Sequence, residues 1–274
     1  MSKCRLCGLE KPLRKSHIIP KFVSQYIKEN SLTGYLRQSG NINQRVQDGL
    51  KVSLLCQDCE LKFSKWEREF AKIFFHHNKL AKEGKQALVK IVYDSSLISF
   101  VVSLFWRSIV ATKITEHISP ENLLRIKELE KQWLEFLNGE RKNWGKCEFY
   151  LVLFDYIDPE YLSSLPQYFD AYLFNLLEIC PYETKDKLGF FIKLPGMLLL
   201  CSIIPSKLPG MKGIKIKNRG KLFPENIKYK SPIIGQIIMA RSEATGNIFN
   251  REISQKQHNK IVDDIIKNLL LPKK

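Results

Sequence analysis

The chain has 274 residues, 44% of them apolar, and carries a formal charge of +16. That is enough apolar material for a folded core, and the positive excess points to a polyanionic partner, nucleic acid foremost. The longest apolar run, around Leu97–Ala111, contains Arg107 and several serines; it falls short of the ~20 residues a membrane span needs and predicts a buried helix instead.

In chain order, residues 1–80 read as a module of their own. The start is polar and basic, with no apolar core ahead of a cleavage site, so a cytoplasmic protein is expected. Gly34, Gly40 and Gly49, with Ser39, Asn41 and Asn43, mark a turn-rich excursion. After residue 59, Phe63, Trp66, Phe70, Ile73 and Phe74 recur at three- and four-residue steps and predict a helix. Residues 81–144 read as a helical region. One helix is expected from about Lys85 to Thr115, and a second from Ser119-Pro120-Glu121 to Asn138-Gly139. Leu123, Ile126, Leu129, Trp133, Phe136 and Leu137 form its apolar stripe. Residues 145–274 change character. Phe149–Phe154, Tyr172–Leu177, Phe190–Leu194, Met197–Ile204, Ile214–Lys217 and Ile233–Ala240 are short runs rich in β-branched or aromatic residues, read as strands. An amphipathic helix beginning near Ser254, with Gln257 in the capping-box position, closes the chain. The expected fold class is α+β, with a mainly β C-terminal region.

Four of the seven cysteines form two Cys-x-x-Cys pairs, Cys4/Cys7 and Cys56/Cys59. A two-residue gap lets both thiolates of a pair turn onto one ion, and two such knuckles complete a tetrahedral site. In a reducing compartment metal ligation is favoured over disulfides, and four soft thiolates suit zinc, with an iron–sulfur cluster as the alternative. A site with four protein ligands has no open position, so the zinc is expected to be structural. Cys147, Cys180 and Cys201 stand in apolar surroundings and read as small core residues.

Between the pairs lies Ser16-His17-Ile18-Ile19-Pro20, and the second pair stands in Leu54-Leu55-Cys56-Gln57-Asp58-Cys59-Glu60. Over about residues 1–75 this order resembles the HNH endonuclease superfamily in its zinc-stabilised ββα-metal form. More closely, it resembles a branch of uncharacterised bacterial proteins with a Cys-x-x-Cys, a Ser/Ala-His-Ile-Ile-Pro and a Leu-Cys-x-x-Cys-Asp/Glu segment. The resemblance implies phosphodiester hydrolysis, with His17 as general base and a divalent ion, Mg²⁺ or Mn²⁺, beside it. Glu60 would supply a hard oxygen ligand to that ion, supplemented by Glu67 or Asp48. The pattern is degenerate here. Ser16 stands where many members carry Asp or His, and residues 48–53 lack the Asn that orients the base. His76-His77-Asn78 reads as a helix cap or a phosphate contact.

Basic residues supply the expected phosphate grip. Arg14, Lys15 and Lys21 flank His17, and Lys207–Lys230 is lysine-rich, with Lys212, Lys215, Lys217, Arg219 and Lys221 at its centre. In an extended segment Lys215 and Lys217 share one strand face. The expectation is therefore an HNH-like metal-dependent nuclease acting on DNA. A role in bacterial defence is suggested by analogy alone. The alternative is a non-catalytic, zinc-stabilised module that binds nucleic acid or a partner protein.

Overall fold

The computed structural model describes residues 2–85, 90–154, 165–223 and 232–270. Its architecture is α+β. Strands β1 (Ser2–Lys3) and β2 (Glu10–Lys11) pair as a small hairpin, and β3 (Leu13–His17) pairs antiparallel with β6 (Lys51–Cys56). Between β3 and β6 the chain forms helix α1 (Lys21–Asn30) and a second hairpin, β4 (Leu36–Gln38) with β5 (Asn41–Val46). Strand β6 runs directly into helix α2 (Gln57–Lys82), whose buried face carries Phe63, Phe70 and Phe74, as the spacing foretold, with Trp66 and Ile73 half-buried beside them and Cys59 buried in the first turn.

Helix α2 packs on α3 (Ser95–Ala111), and α3 packs on α4 (Pro120–Asn138). The centre of α3 is buried all round, which its near-continuous apolar sequence requires. It is shorter at both ends than the expected Lys85–Thr115. Strand β7 (Ile91–Tyr93) precedes it, and Asp94 caps it by accepting from the Ser96 backbone N–H. Helix α4 keeps its expected limits, with Pro120 in the first turn and Gly139 closing it in the left-handed region. No described helix is long and apolar enough to cross a membrane.

Five antiparallel strands form the main sheet in the order β12 (Lys215–Ile216), β8 (Glu148–Leu153), β11 (Met197–Ile204), β10 (Leu188–Leu194), β9 (Glu178–Glu183). Its side chains divide by parity. Phe149, Leu151, Phe190, Ile192, Leu199 and Cys201 join a core with α2–α4, whereas Tyr150, Val152, Phe191, Leu198 and Leu200 join a second core with α5 (Phe169–Asn175) and α6 (Pro232–Phe249). Both faces are covered, so the strands read as continuous apolar runs rather than alternating ones. A short strand, β13 (Gly220–Leu222), pairs with β7. Helix α7 (Gln255–Leu270) ends the described chain.

Two expected strands are helices. Ile233–Ala240 lies inside α6, where Ile233, Ile234, Ile237, Ile238 and Ser242 recur with helical period and are buried. The β-branched composition suggested a strand, but the period decides which face can be buried. Tyr172–Leu177 overlaps α5, which buries Tyr172 and Leu173. Ile214–Lys217 is only partly extended, since Ile214 ends a single 3₁₀ turn. The expected capping box of α7 also differs. The Ser254 N–H donates to Asn43 Oδ1, and Gln257 Oε1 accepts from Arg37.

Candidate metal centre and histidine site

The hairpin β1–β2 folds the first cysteine pair into a knuckle. The Cys4 N–H donates to Leu9 O (2.9 Å), and the Gly8 N–H donates to Cys4 O (2.9 Å). Gly8 has φ +72°, the left-handed conformation glycine adopts without strain. The second knuckle is the start of α2, with Cys56 at the N-cap and Cys59 in the first turn. Backbone N–H groups join the knuckles: that of Arg5 donates to Leu54 O (3.1 Å), and that of Cys56 donates to Cys4 Sγ (3.3 Å).

The four sulfurs all lie within 4.8 Å of one another, and Cys7 Sγ is 3.9 Å from Cys56 Sγ. Zinc–sulfur bonds of ~2.3 Å set tetrahedral S···S edges of about 3.8 Å, so the cluster has the size and the donor chemistry for one such ion. Burial opposes ionisation of Cys4, yet backbone hydrogen bonds from Cys7, Cys56 and Leu6 outweigh it and bring the thiol down to about 7. Burial and the neighbouring thiols push Cys59 upward. The surroundings thus ease the ionisation of Cys4 and oppose that of Cys59, and a cation among the sulfurs would favour the thiolate form of all four.

His17 ends β3, opposite Lys51 on β6, which lies five residues before Cys56. Its Nε2 is 3.1 Å from Asp48 Oδ2. Asp48 sits just before β6 and also receives Lys51 Nζ (2.5 Å), the Gly49 N–H (2.8 Å) and Ser24 Oγ (3.3 Å). Burial disfavours its charge, but the hydrogen bonds from Lys51, His17 and Gly49 prevail and hold its pKa well below the usual carboxylate range. An ionised Asp48 accepts from Nε2–H, which assigns the lone pair of the neutral imidazole to Nδ1. The backbone of the segment is pinned as well. The Ile18 N–H donates to Leu50 O (3.0 Å), and Arg107 Nη1 donates to His17 O (3.0 Å) and Glu67 Oε1 (2.7 Å).

The other expected site residues fall elsewhere. Ser16 points into the core, where its hydroxyl donates to Glu60 and accepts from the Leu55 N–H. Adjacent strand residues face opposite sides, so Glu60 is held behind the strand that presents His17. Among the described residues, the four cysteines are the one group of three or more His, Cys, Asp or Glu side chains with closely gathered ligand atoms. Beside His17 the carboxylate is Asp48, already neutralised by Lys51. This donor set does not fit a divalent cation without displacing that lysine.

Arg14, Lys15 and Lys21 are exposed around β3 and the start of α1, and Arg14 Nε donates to Gln57 Oε1 (2.7 Å). Lys217, Arg219 and Lys221 are exposed beside β12 and β13. Lys215 is engaged by Glu148. The side chain of Lys212 lies outside the described residues. His77 is neither cap nor phosphate contact. It is buried within α2, its Nε2 2.8 Å from Gly196 O, and Asn78 Nδ2 donates to Pro195 O (3.1 Å). Cys147 and Cys201 are buried in the core, while Cys180 is half-buried.

The sequence reading offered Asp48 as an ion ligand and not as the partner of His17, noted Arg107 only as a break in an apolar run, and missed Lys51. Arg107 had a visible signal, a lone cation in an apolar run, which demands a buried acceptor. No family model, curated protein or solved structure matches this chain.

Proposed function

We propose that the chain is an HNH-like nuclease acting on DNA, with a structural zinc ion on Cys4, Cys7, Cys56 and Cys59 and with His17 as general base. The observation that carries the reading is the His17–Asp48 pair, set on a strand whose antiparallel partner leads into the second cysteine knuckle. In this reading Nδ1 of His17 takes a proton from water, which attacks phosphorus as the P–O ester bond breaks. The leaving oxygen gains its proton from solvent. Asp48 holds the tautomer and stabilises the imidazolium that forms. Lys51, its ammonium at the same carboxylate, faces a phosphate oxygen, and Arg14, Lys15 and Lys21 grip the flanking backbone. Mg²⁺ or Mn²⁺ would stabilise negative charge developing in the transition state, but the donor set at His17 does not fit such an ion as it stands, and no step depends on it.

The test is plasmid cleavage with and without added Mg²⁺ or Mn²⁺. His17→Ala is expected to lose about 10²–10⁴ of the rate while its circular dichroism is unchanged. Equal cleavage by both proteins removes His17 from the chemistry. The engagement of Glu60 by Ser16 favours a second reading, in which the zinc unit binds nucleic acid without cutting it. Oligonucleotide binding with no cleavage under any cation decides for that reading.

A further inference from the structure

The hairpin β4–β5 places Arg37 directly opposite Arg45. Like charges in register across a strand pair destabilise it, so this pairing calls for an anion. Asp264 of α7 supplies one. Its Oδ2 is 2.5 Å from Arg45 Nη2, with both side chains about four-fifths buried. The ion pair is close but poorly aligned, and neither atom has a hydrogen-bond partner among the described residues. Arg37 Nη2 and Arg45 Nε are likewise buried without an acceptor there. The carboxylate pairs with Arg45 alone, Arg37 Nη1 donates to Ile42 O (2.8 Å) and Gln257 Oε1 (3.3 Å), and buried donors are left over on both guanidiniums. The Arg45 guanidinium also lies 4.7 Å above the Tyr35 ring, so a flat aromatic face borders the site.

The helix that brings Asp264 is lightly attached. No residue of α7 is buried, and Val262, Ile266, Leu269 and Leu270 are exposed. Hydrogen bonds tie it to the hairpin region, from Arg37 to Gln257 (3.3 Å), from Asn268 to Leu32 O (2.9 Å) and from the Ser254 N–H to Asn43 (2.9 Å), and Ile261 and Ile265 are only half-buried. A helix held by such contacts can leave when a better anion arrives.

We propose that Arg37 and Arg45 form a binding site for the phosphodiester backbone of single-stranded nucleic acid, masked in the free protein by Asp264 of the C-terminal helix. A phosphate presents several acceptor oxygens and can satisfy both forks at once, which one misaligned carboxylate does not. Tyr35 is half-exposed and carries Arg45 over one ring face, so a neighbouring base can stack only on the other. The proposal rests on the nucleic-acid part of the reading above, not on its hydrolytic part. It also deepens that reading: β5 runs on through Val46 and Gln47 to Asp48, so a strand held at the arginines lies on the approach to His17.

Fluorescence anisotropy with a labelled single-stranded DNA oligonucleotide and the full chain tests this. Asp264→Asn, which keeps the shape and removes the charge, is expected to tighten binding by up to about fivefold. Arg37→Ala with Arg45→Ala should weaken binding and flatten its salt dependence by about 0.7 in log–log slope per arginine removed. The same double change should abolish the gain from Asp264→Asn. Hydrogen exchange gives a second measurement on the unaltered protein: amides across residues 255–270 should lose protection in the saturated complex. Unchanged affinity in Asp264→Asn, or full protection of α7 in the complex, overturns the proposal and leaves a structural ion pair. A chain that binds in this way but cuts nothing sinks the nuclease reading and leaves this one standing. Failure of all variants to bind any oligonucleotide sinks both.

Discussion

Arg107 shows how much one side chain can be asked to hold. Its guanidinium is almost wholly buried, lies 5.3 Å over the Phe63 ring, and bridges the His17 carbonyl to Glu67. A buried cation is tolerated only with partners, and removing one partner leaves the other charge stranded. Arg107→Met should therefore destabilise the chain by about 2–4 kcal/mol, read from urea unfolding, and Arg107→Met with Glu67→Gln should recover part of that loss. No recovery in the double variant would show that the ion pair is not what the arginine provides. Asp48 yields a pH prediction. Its folded pKa is lowered, so its contribution is complete above the unfolded value of 3.8 and is lost as pH falls through the lower folded value. Asp48→Ala should consequently cost a constant amount of stability, about 1–2 kcal/mol, from pH 5 upward, and converge with the unaltered protein in strong acid. A gap that widened with rising pH above 6 would contradict the assignment. The cysteines were legible from sequence because the covalent spacing of each pair is itself the geometry of the knuckle. The pairing of Asp48 with His17 was not, because their 31-residue separation is closed only by the β3–β6 register.

At the level of elements, legibility followed period and local chemistry. Helix α4 was readable at both ends because Pro120 and Gly139 are local signals. Strands β10 and β11 were readable as apolar runs, but only the fold explains why both of their faces are apolar. Helix α6 was misread because Ile-rich composition outweighed the spacing of its buried positions. The hairpins β1–β2 and β4–β5 escaped notice because their short strands are polar and half-exposed, leaving no hydrophobic alternation to find. The turn between β10 and β11 has no helical signal, yet it fixes the sheet to α2. Gly196 there has φ +73°, and a Cβ added to it would stand 2.9 Å from Asn78 Oδ1 and 3.2 Å from the His77 ring. Those two side chains are the ones that bond the turn. Gly196→Ala is expected to cost about 1–3 kcal/mol in chemical denaturation, more than the same change at Gly84, which is also left-handed but open around its Cβ position. Equal costs would mean that the contact with α2 contributes nothing and only the backbone conformation matters.

Across the whole molecule, the cysteine cluster is not a detachable bead. Cys4, Leu6, Leu55, Cys56 and Cys59 belong to the same buried cluster as Phe63, Phe105, Trp106 and Trp133 of the helices and Phe149, Ile192 and Leu199 of the sheet. Arg107 and the Asn138 side chain, which donates to Leu6 O (2.9 Å), add polar ties between the first residues and the central helices. A metal at the four sulfurs would then stabilise everything that shares this core, since binding to the native state alone shifts the folding equilibrium of the entire cooperative unit. Stripping the metal with a chelator, or replacing Cys59 by Ser, should lower the thermal midpoint of the main unfolding transition recorded by tryptophan fluorescence. Trp106 and Trp133 lie far along the sequence from the cysteines and would report that transition. Elemental analysis should find one zinc per chain before treatment and less than one after. If calorimetry instead resolved a separate low-temperature transition that alone responded to the chelator, the N-terminal segment would be folding independently, and the shared core would not be the route by which the metal stabilises the rest.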